Sequence, residues 1–171
     1  MTSGELATRW TVRLALVCCF AGACAELPAP TVVRRLRVAR AAWTAGCVLF
    51  LAHVGCAFHF YHHWSHAEAY AHTAERTAAL VGWSWGGGLY FNYVFTAAWV
   101  FDTLWWWCSP ASRRRRPRSC SIAWNSFFLL MVVNATIVFE TGLVRWVSIV
   151  ALGSLFLVWI VSRRTSAPIA D

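Results

Sequence analysis

Four stretches of the chain are apolar for long enough to cross a bilayer. A helix needs about 20 such residues to span about 30 Å of hydrocarbon. Ala41 to Tyr61, Leu89 to Trp107, Ile122 to Phe139 and Leu143 to Val161 all come within reach of that length. Each carries at most one formal charge, and none holds an internal proline. Lipid offers no water to hydrogen-bond a free amide, so each run must pair its backbone within itself, as a helix does. The pattern predicts an all-α fold, a polytopic integral membrane helical bundle with four core transmembrane helices. The link Glu140-Thr141-Gly142 is so short that the third and fourth spans must be antiparallel neighbours.

The first 30 residues leave three placements open. Arg9 and Arg13 flank a run from Leu14 to Ala25, which is a weakly apolar fifth span, an interfacial segment or a signal peptide ending at Ala23-Cys24-Ala25. Cleavage there would leave Arg34 to Arg40 outside and invert every later loop. A fifth span with its N-terminus outside keeps the charges consistent.

Composition sharpens this picture. The chain of 171 residues is 59% apolar and 13% charged, against about 45–50% and about 25% for a soluble domain. That balance excludes disorder, a disulfide miniprotein and most soluble α/β enzymes. The 15 basic residues, all Arg, outnumber 7 acidic ones for a net charge of +8. Such a charge would suit nucleic acid if it were spread over one face, but it falls in blocks between the apolar runs. Arg34, Arg35, Arg37 and Arg40 precede the first span. Arg113, Arg114, Arg115, Arg116 and Arg118 separate the second from the third, and Arg163 and Arg164 follow the fourth. The other two connections are poor in Arg, so both ends of the four-span core are expected in the cytoplasm. Trp83 and Trp85 near one interface, and Trp105 to Trp107 near the other, fit an aromatic belt.

The expected organisation is therefore an N-terminal segment over residues 1–38, a four-helix domain over 39–162 and a cytoplasmic tail over 163–171. The expected partners are the lipid bilayer of a bacterial inner (plasma) membrane and a homo-oligomer or larger membrane complex, with no nucleic acid. Seven cysteines lie mostly within apolar runs without any C-x-x-C pair, which makes them packing residues.

All six histidines fall between His53 and His72. At about 100° per residue, His59, His62, His63 and His66 share an arc of about 100° on an unbroken helix. His59 with His63, and His62 with His66, are i,i+4 pairs, the spacing at which two imidazoles of one helix meet one metal ion. These four are candidate ligands for a transition metal (Zn, Cu or Fe). Glu140 and Glu68 are candidate carboxylate partners, and His72, Glu75 and Asn92 stand second to them, as do Tyr90 and Tyr93. The competing expectation is a non-enzymatic structural or assembly subunit whose interfacial histidines sense pH, because imidazole titrates near pH 6.5. An enzyme reading would require a second ligand-rich segment.

His59-Phe60-Tyr61-His62-His63 resembles one histidine box of the membrane di-iron desaturases and hydroxylases. The resemblance spans five residues and implies several boxes on the cytoplasmic face, whereas this chain has one, placed outside by its charges. Haem would need His53, deeper in the same span, together with a second copy or a Met or Tyr ligand.

Past this core, Ser65-His66-Ala67-Glu68 has the form of a capping box. Ala67, Ala71, Ala74, Ala78 and Val81 then recur at helical spacing before Gly82, a natural stop. A short amphipathic helix over 65–81 is expected on the outer face, joined to the span by a bend. Trp83-Ser84-Trp85-Gly86-Gly87-Gly88 lacks the Lys-Ser/Thr ending of a phosphate-binding loop. Its glycines are expected to give a flexible lead into the next span, with close backbone approach over the histidine region. Asp102, near the cytoplasmic end of its span, is expected to reach water or the loop arginines.

Overall fold

The computed structural model describes residues 2–26, 33–138 and 142–165, and every regular element among them is helical. The helices are α1 (Ser3–Glu26), α2 (Val33–Phe60), α3 (His66–Val81), α4 (Gly88–Cys108), α5 (Pro110–Arg114), α6 (Arg118–Val133) and α7 (Leu143–Thr165). A π-helical turn over Asn134–Val138 extends α6. Within it the buried Thr136 hydroxyl donates back to the Val132 carbonyl at 2.7 Å, and the Asn134 amide donates to Leu130 at 3.0 Å. Such back-bonding competes with the regular ladder and loosens its pitch.

Three helices are long and apolar enough to cross a membrane: Ser3–Glu26, Val33–Phe60 and Arg118–Val138. The N-terminal run, ambiguous in sequence, is thus one continuous helix of sufficient length. Gly88–Cys108 has the length but carries Asn92, Asp102 and amphipathic aromatic rings, which lower its hydropathy. Over the last helix, Leu143–Leu157 forms a shorter apolar stretch. Glu140 lies outside the described residues.

The chain divides into two compact units. One comprises Met1–Val17 and Thr44–Arg114. Here α1 runs antiparallel to α2: Gly4 packs so tightly against the Phe60 ring that a Cβ would lie 2.7 Å from it, and His53 Nδ1 donates to the Thr8 carbonyl at 2.9 Å. That bond satisfies the histidine inside the helix pair and occupies one ring nitrogen in packing. On another face Phe50 meets Phe95 edge-on at 5.1 Å and stacks on Trp99 at 5.5 Å. Further along, Trp107 Nε1 donates to Thr44 Oγ1 at 3.0 Å, so α4 also runs antiparallel to α2. Phe95, Trp99 and Trp106 are buried, forming an aromatic core on one face of α4.

The second unit comprises Cys18–Trp43 and Arg115–Asp171. Gly22 sits within ordinary contact of Ala39 and Trp43. Trp43 meets Phe128 at 5.2 Å, Phe128 stacks on Trp124 at 5.7 Å, and the Arg116 guanidinium covers Trp124 at 4.9 Å. All seven cysteines are free thiols, and Cys47 is buried.

Candidate functional site

The histidine segment is a corner, not the end of a straight helix. The α2 helix stops at Phe60, with Tyr61 N–H still bonded to the Ala57 carbonyl at 3.0 Å. His63 (φ 46°) and Trp64 (φ 60°) then adopt the left-handed region. Two such residues in succession cost about 1–2 kcal/mol each for side chains with a Cβ, a cost that surrounding bonds must offset. Trp64 N–H bonds the Phe58 carbonyl at 3.0 Å and Ser65 N–H bonds the His62 carbonyl at 2.6 Å, closing the reversal. This is the bend expected between the first span and the amphipathic helix, so the arc that an unbroken helix would give His59, His62, His63 and His66 does not form. Their i,i+4 relationship ends where the backbone changes hand.

Ser65 then starts α3 as its N-cap, with extended backbone angles and its hydroxyl accepting from Glu68 N–H at 3.2 Å. Half of the expected capping box forms. The other half is replaced: Ser65 N–H is used by the reversal, and the Glu68 carboxylate takes His63 Nδ1 at 3.2 Å instead. At the far end Gly82 adopts φ 75° and its N–H bonds the Ala78 carbonyl, the left-handed stop that its position required. Ala69 is the buried residue of α3, at 1% exposure. The Gly86 backbone lies against Tyr70, where a Cβ would come within 2.5 Å of the Tyr70 carbonyl oxygen. The close approach expected of the glycine run thus falls one helical turn from His66.

The reversal brings His62 against His72 of α3, with ring centroids 5.3 Å apart at 50°. His63 and Glu68 stand beside them, so three imidazoles and one carboxylate share the corner. Burial lowers the His62 pKa from its ordinary 6.5, and the neighbouring His72 pushes it the same way; Glu68 pulls it upward, and His63 adds the smallest downward push. His62 is half-buried under Phe58, whose ring it meets edge-on at 5.6 Å.

The remaining candidates sit apart from this pair. His66 turns to α4, where Nδ1 lies 3.0 Å from the Tyr93 hydroxyl and the ring is 5.7 Å from Tyr90. His59 packs edge-on against Phe60 at 4.7 Å. Glu75 is exposed on α3, and exposed Asn92 of α4 takes the Thr96 hydroxyl on its carbonyl at 2.7 Å. No group of three or more His, Cys, Asp or Glu placed to hold a metal ion occurs among the described residues. Sequence reasoning missed the contact of His53 with Thr8, since no local signal ties α1 to the middle of α2.

At the other end of α4, buried Asp102 is met by a loop arginine, as expected, and Arg113 is the one. Its Nη2 donates to Oδ2 at 2.9 Å and its Nε to both carboxylate oxygens at 3.2 Å. The guanidinium also stacks over Trp106 at 3.8 Å.

Compared with protein-family models, curated proteins and solved structures, the chain matches none of them.

Proposed function

We propose that the protein is a multi-pass membrane subunit, without catalytic activity of its own, whose α2–α3 corner is a proton-linked switch. The observation that carries this reading is the facing of His62 and His72 at 5.3 Å. Two imidazoles at that distance resist carrying a proton each, since like charges that close disfavour joint ionisation. Glu68 and His63, the other charged groups facing the pair, set the balance, and Tyr93 holds His66 at the edge. Protonating both rings drives α3 away from the end of α2. The pivot is the left-handed pair His63–Trp64.

In this reading α2, α4, α6 and α7 cross a plasma membrane with the Arg blocks in the cytoplasm. The α1 helix crosses as well, N-terminus outside, supported by its length and its antiparallel packing on α2. The histidine corner then faces the external medium, where pH varies. The exposed surface of α3 is where a second copy or a larger complex docks.

Melting the detergent-purified protein between pH 8 and pH 5, beside a His62→Gln/His72→Gln variant, tests this. A wild-type stability that falls towards low pH and a variant with a flatter profile is the expected result. Parallel profiles would contradict it, and stoichiometric zinc or copper that co-purifies and vanishes in the variant would replace it by the metal reading. Labelling of Ser84→Cys only from the cytoplasmic side would contradict the orientation.

A further inference from the structure

We propose that the arginine-rich end of the second unit is a binding site for anionic phospholipid headgroups. Arg34, Arg35 and Arg37 lie in the first turns of α2, and Arg115 and Arg118 flank the start of α6. All five are exposed, and none forms an ion pair among the described residues. Glu26 is the single acidic residue among the described residues of this unit. The patch therefore holds a surplus of positive charge.

The orientation proposed above sends α2 and α6 through the membrane in the same direction, which puts both blocks on one side of it. The two helices touch through Trp43 and Phe128. Arg34 lies nine residues before Trp43 and Arg118 ten before Phe128, so at 1.5 Å per residue both blocks reach within about 15 Å of that contact along their axes. Both α2 and the α6 segment are long and apolar enough to cross a membrane, which puts these ends at headgroup depth.

The occupant follows from charge and shape. Guanidinium groups pair with phosphate oxygens through two parallel hydrogen bonds. Cations at a helix N-terminus oppose the helix dipole, and α2 has no acidic residue in its first turn to relieve this. A bound phosphodiester supplies the missing negative charge. Phosphatidylglycerol and its relatives carry that charge at headgroup depth, whereas phosphatidylcholine cancels it with its own cation. The indoles of Trp43 and Trp124 add an apolar wall alongside acyl chains.

This inference rests on the membrane reading, and the two fail differently. A chain that remains in water after detergent removal fails the membrane reading. The test is native mass spectrometry of the full-length detergent-purified chain titrated with phosphatidylglycerol, phosphatidylcholine or inorganic phosphate. Phosphatidylglycerol should be retained over phosphatidylcholine, and excess inorganic phosphate should not displace it. Each arginine near an anionic surface strengthens attachment about five-fold. Arg34→Gln/Arg35→Gln/Arg37→Gln should therefore weaken phosphatidylglycerol binding by about 100-fold, while Arg9→Gln/Arg145→Gln leaves it unchanged. Replacement of the same three by Lys keeps the charge and should retain most of the binding, which guards against a misfolded Gln variant. Equal retention of the two lipids, or undiminished binding by the folded Gln variant, would overturn the site. Displacement by inorganic phosphate would overturn it in favour of a small-anion site.

Discussion

Arg113 closes on Asp102 with three hydrogen-bond contacts of 2.9–3.2 Å, leaving the carboxylate with no exposed surface and the arginine side chain 15% exposed. The pair folds α5 back onto the end of α4, and Trp106 under the guanidinium fixes its plane. Breaking one member of such a pair leaves a buried charge without compensation, which costs about 3–5 kcal/mol. Arg113→Gln should therefore destabilise the protein by about 3 kcal/mol in reversible detergent unfolding. Asp102→Asn/Arg113→Gln should lose clearly less than the sum of the two single variants, because neither charge remains. Additive losses would show that the pair is not coupled.

The pH dependence at the corner has a definite sign. His62 binds its proton less readily in the folded protein than in the unfolded chain, since burial and two imidazoles disfavour the cation. The unfolded state therefore holds more protons in the window below the ordinary imidazole value of 6.5, and stability rises with pH there. It is fully present above 6.5 and is lost as pH falls through the depressed folded value. His72→Gln should raise the His62 value towards 6.5, so the loss becomes smaller and is complete at a higher pH. Glu68→Gln should depress the His62 value further by removing the one group that favours the cation, so the loss becomes larger and extends to lower pH.

Ser65 starts α3 by receiving Glu68 N–H. Ser65→Ala should cost about 1 kcal/mol, and Ser65→Asp should restore most of it. Amide hydrogen exchange of His66 to Ala69 is the readout, because the loss concentrates in the first turn.

Gly86 admits Tyr70 where a methyl group would sit 2.5 Å from a carbonyl oxygen. Gly86→Ala must push α3 away from the start of α4, since the obstacle is backbone. Gly55, with open space around its would-be Cβ, is the comparison: Gly55→Ala should stabilise by about 1 kcal/mol through reduced chain entropy. A thermal melt that drops for the first and not for the second confirms the contact.

Local chemistry was legible where one turn decides the outcome. Ser65 and Gly82 announce the two ends of α3 because a cap and a left-handed stop each need a particular residue type. The apolar runs announce α2, α4, α6 and α7 as helices, but of these only α2 and the α6 segment are long and apolar enough to cross a membrane among the described residues, with α1 as the third such helix. The bend was legible from Ser65, but which histidines it brings together was not, because periodicity carries a helix forward only until something breaks it. The breakers are His63 and Trp64, and tryptophan has no preference for the left-handed region. Once the chain reverses, His62 finds His72, ten residues on, and no i,i+4 rule reaches that pair. The choice of Arg113 among five neighbouring arginines depends on how α5 folds back, which spacing along α4 does not encode.

The most direct test of the proton-linked corner is a site-resolved titration of the His62 and His72 imidazoles by NMR in labelled, detergent-solubilised protein between pH 8 and pH 4.5. The account predicts a His62 step below the ordinary imidazole value that moves up when His72 is replaced by Gln. Independent titration of both rings at the ordinary imidazole value, unchanged in the variant, would contradict it.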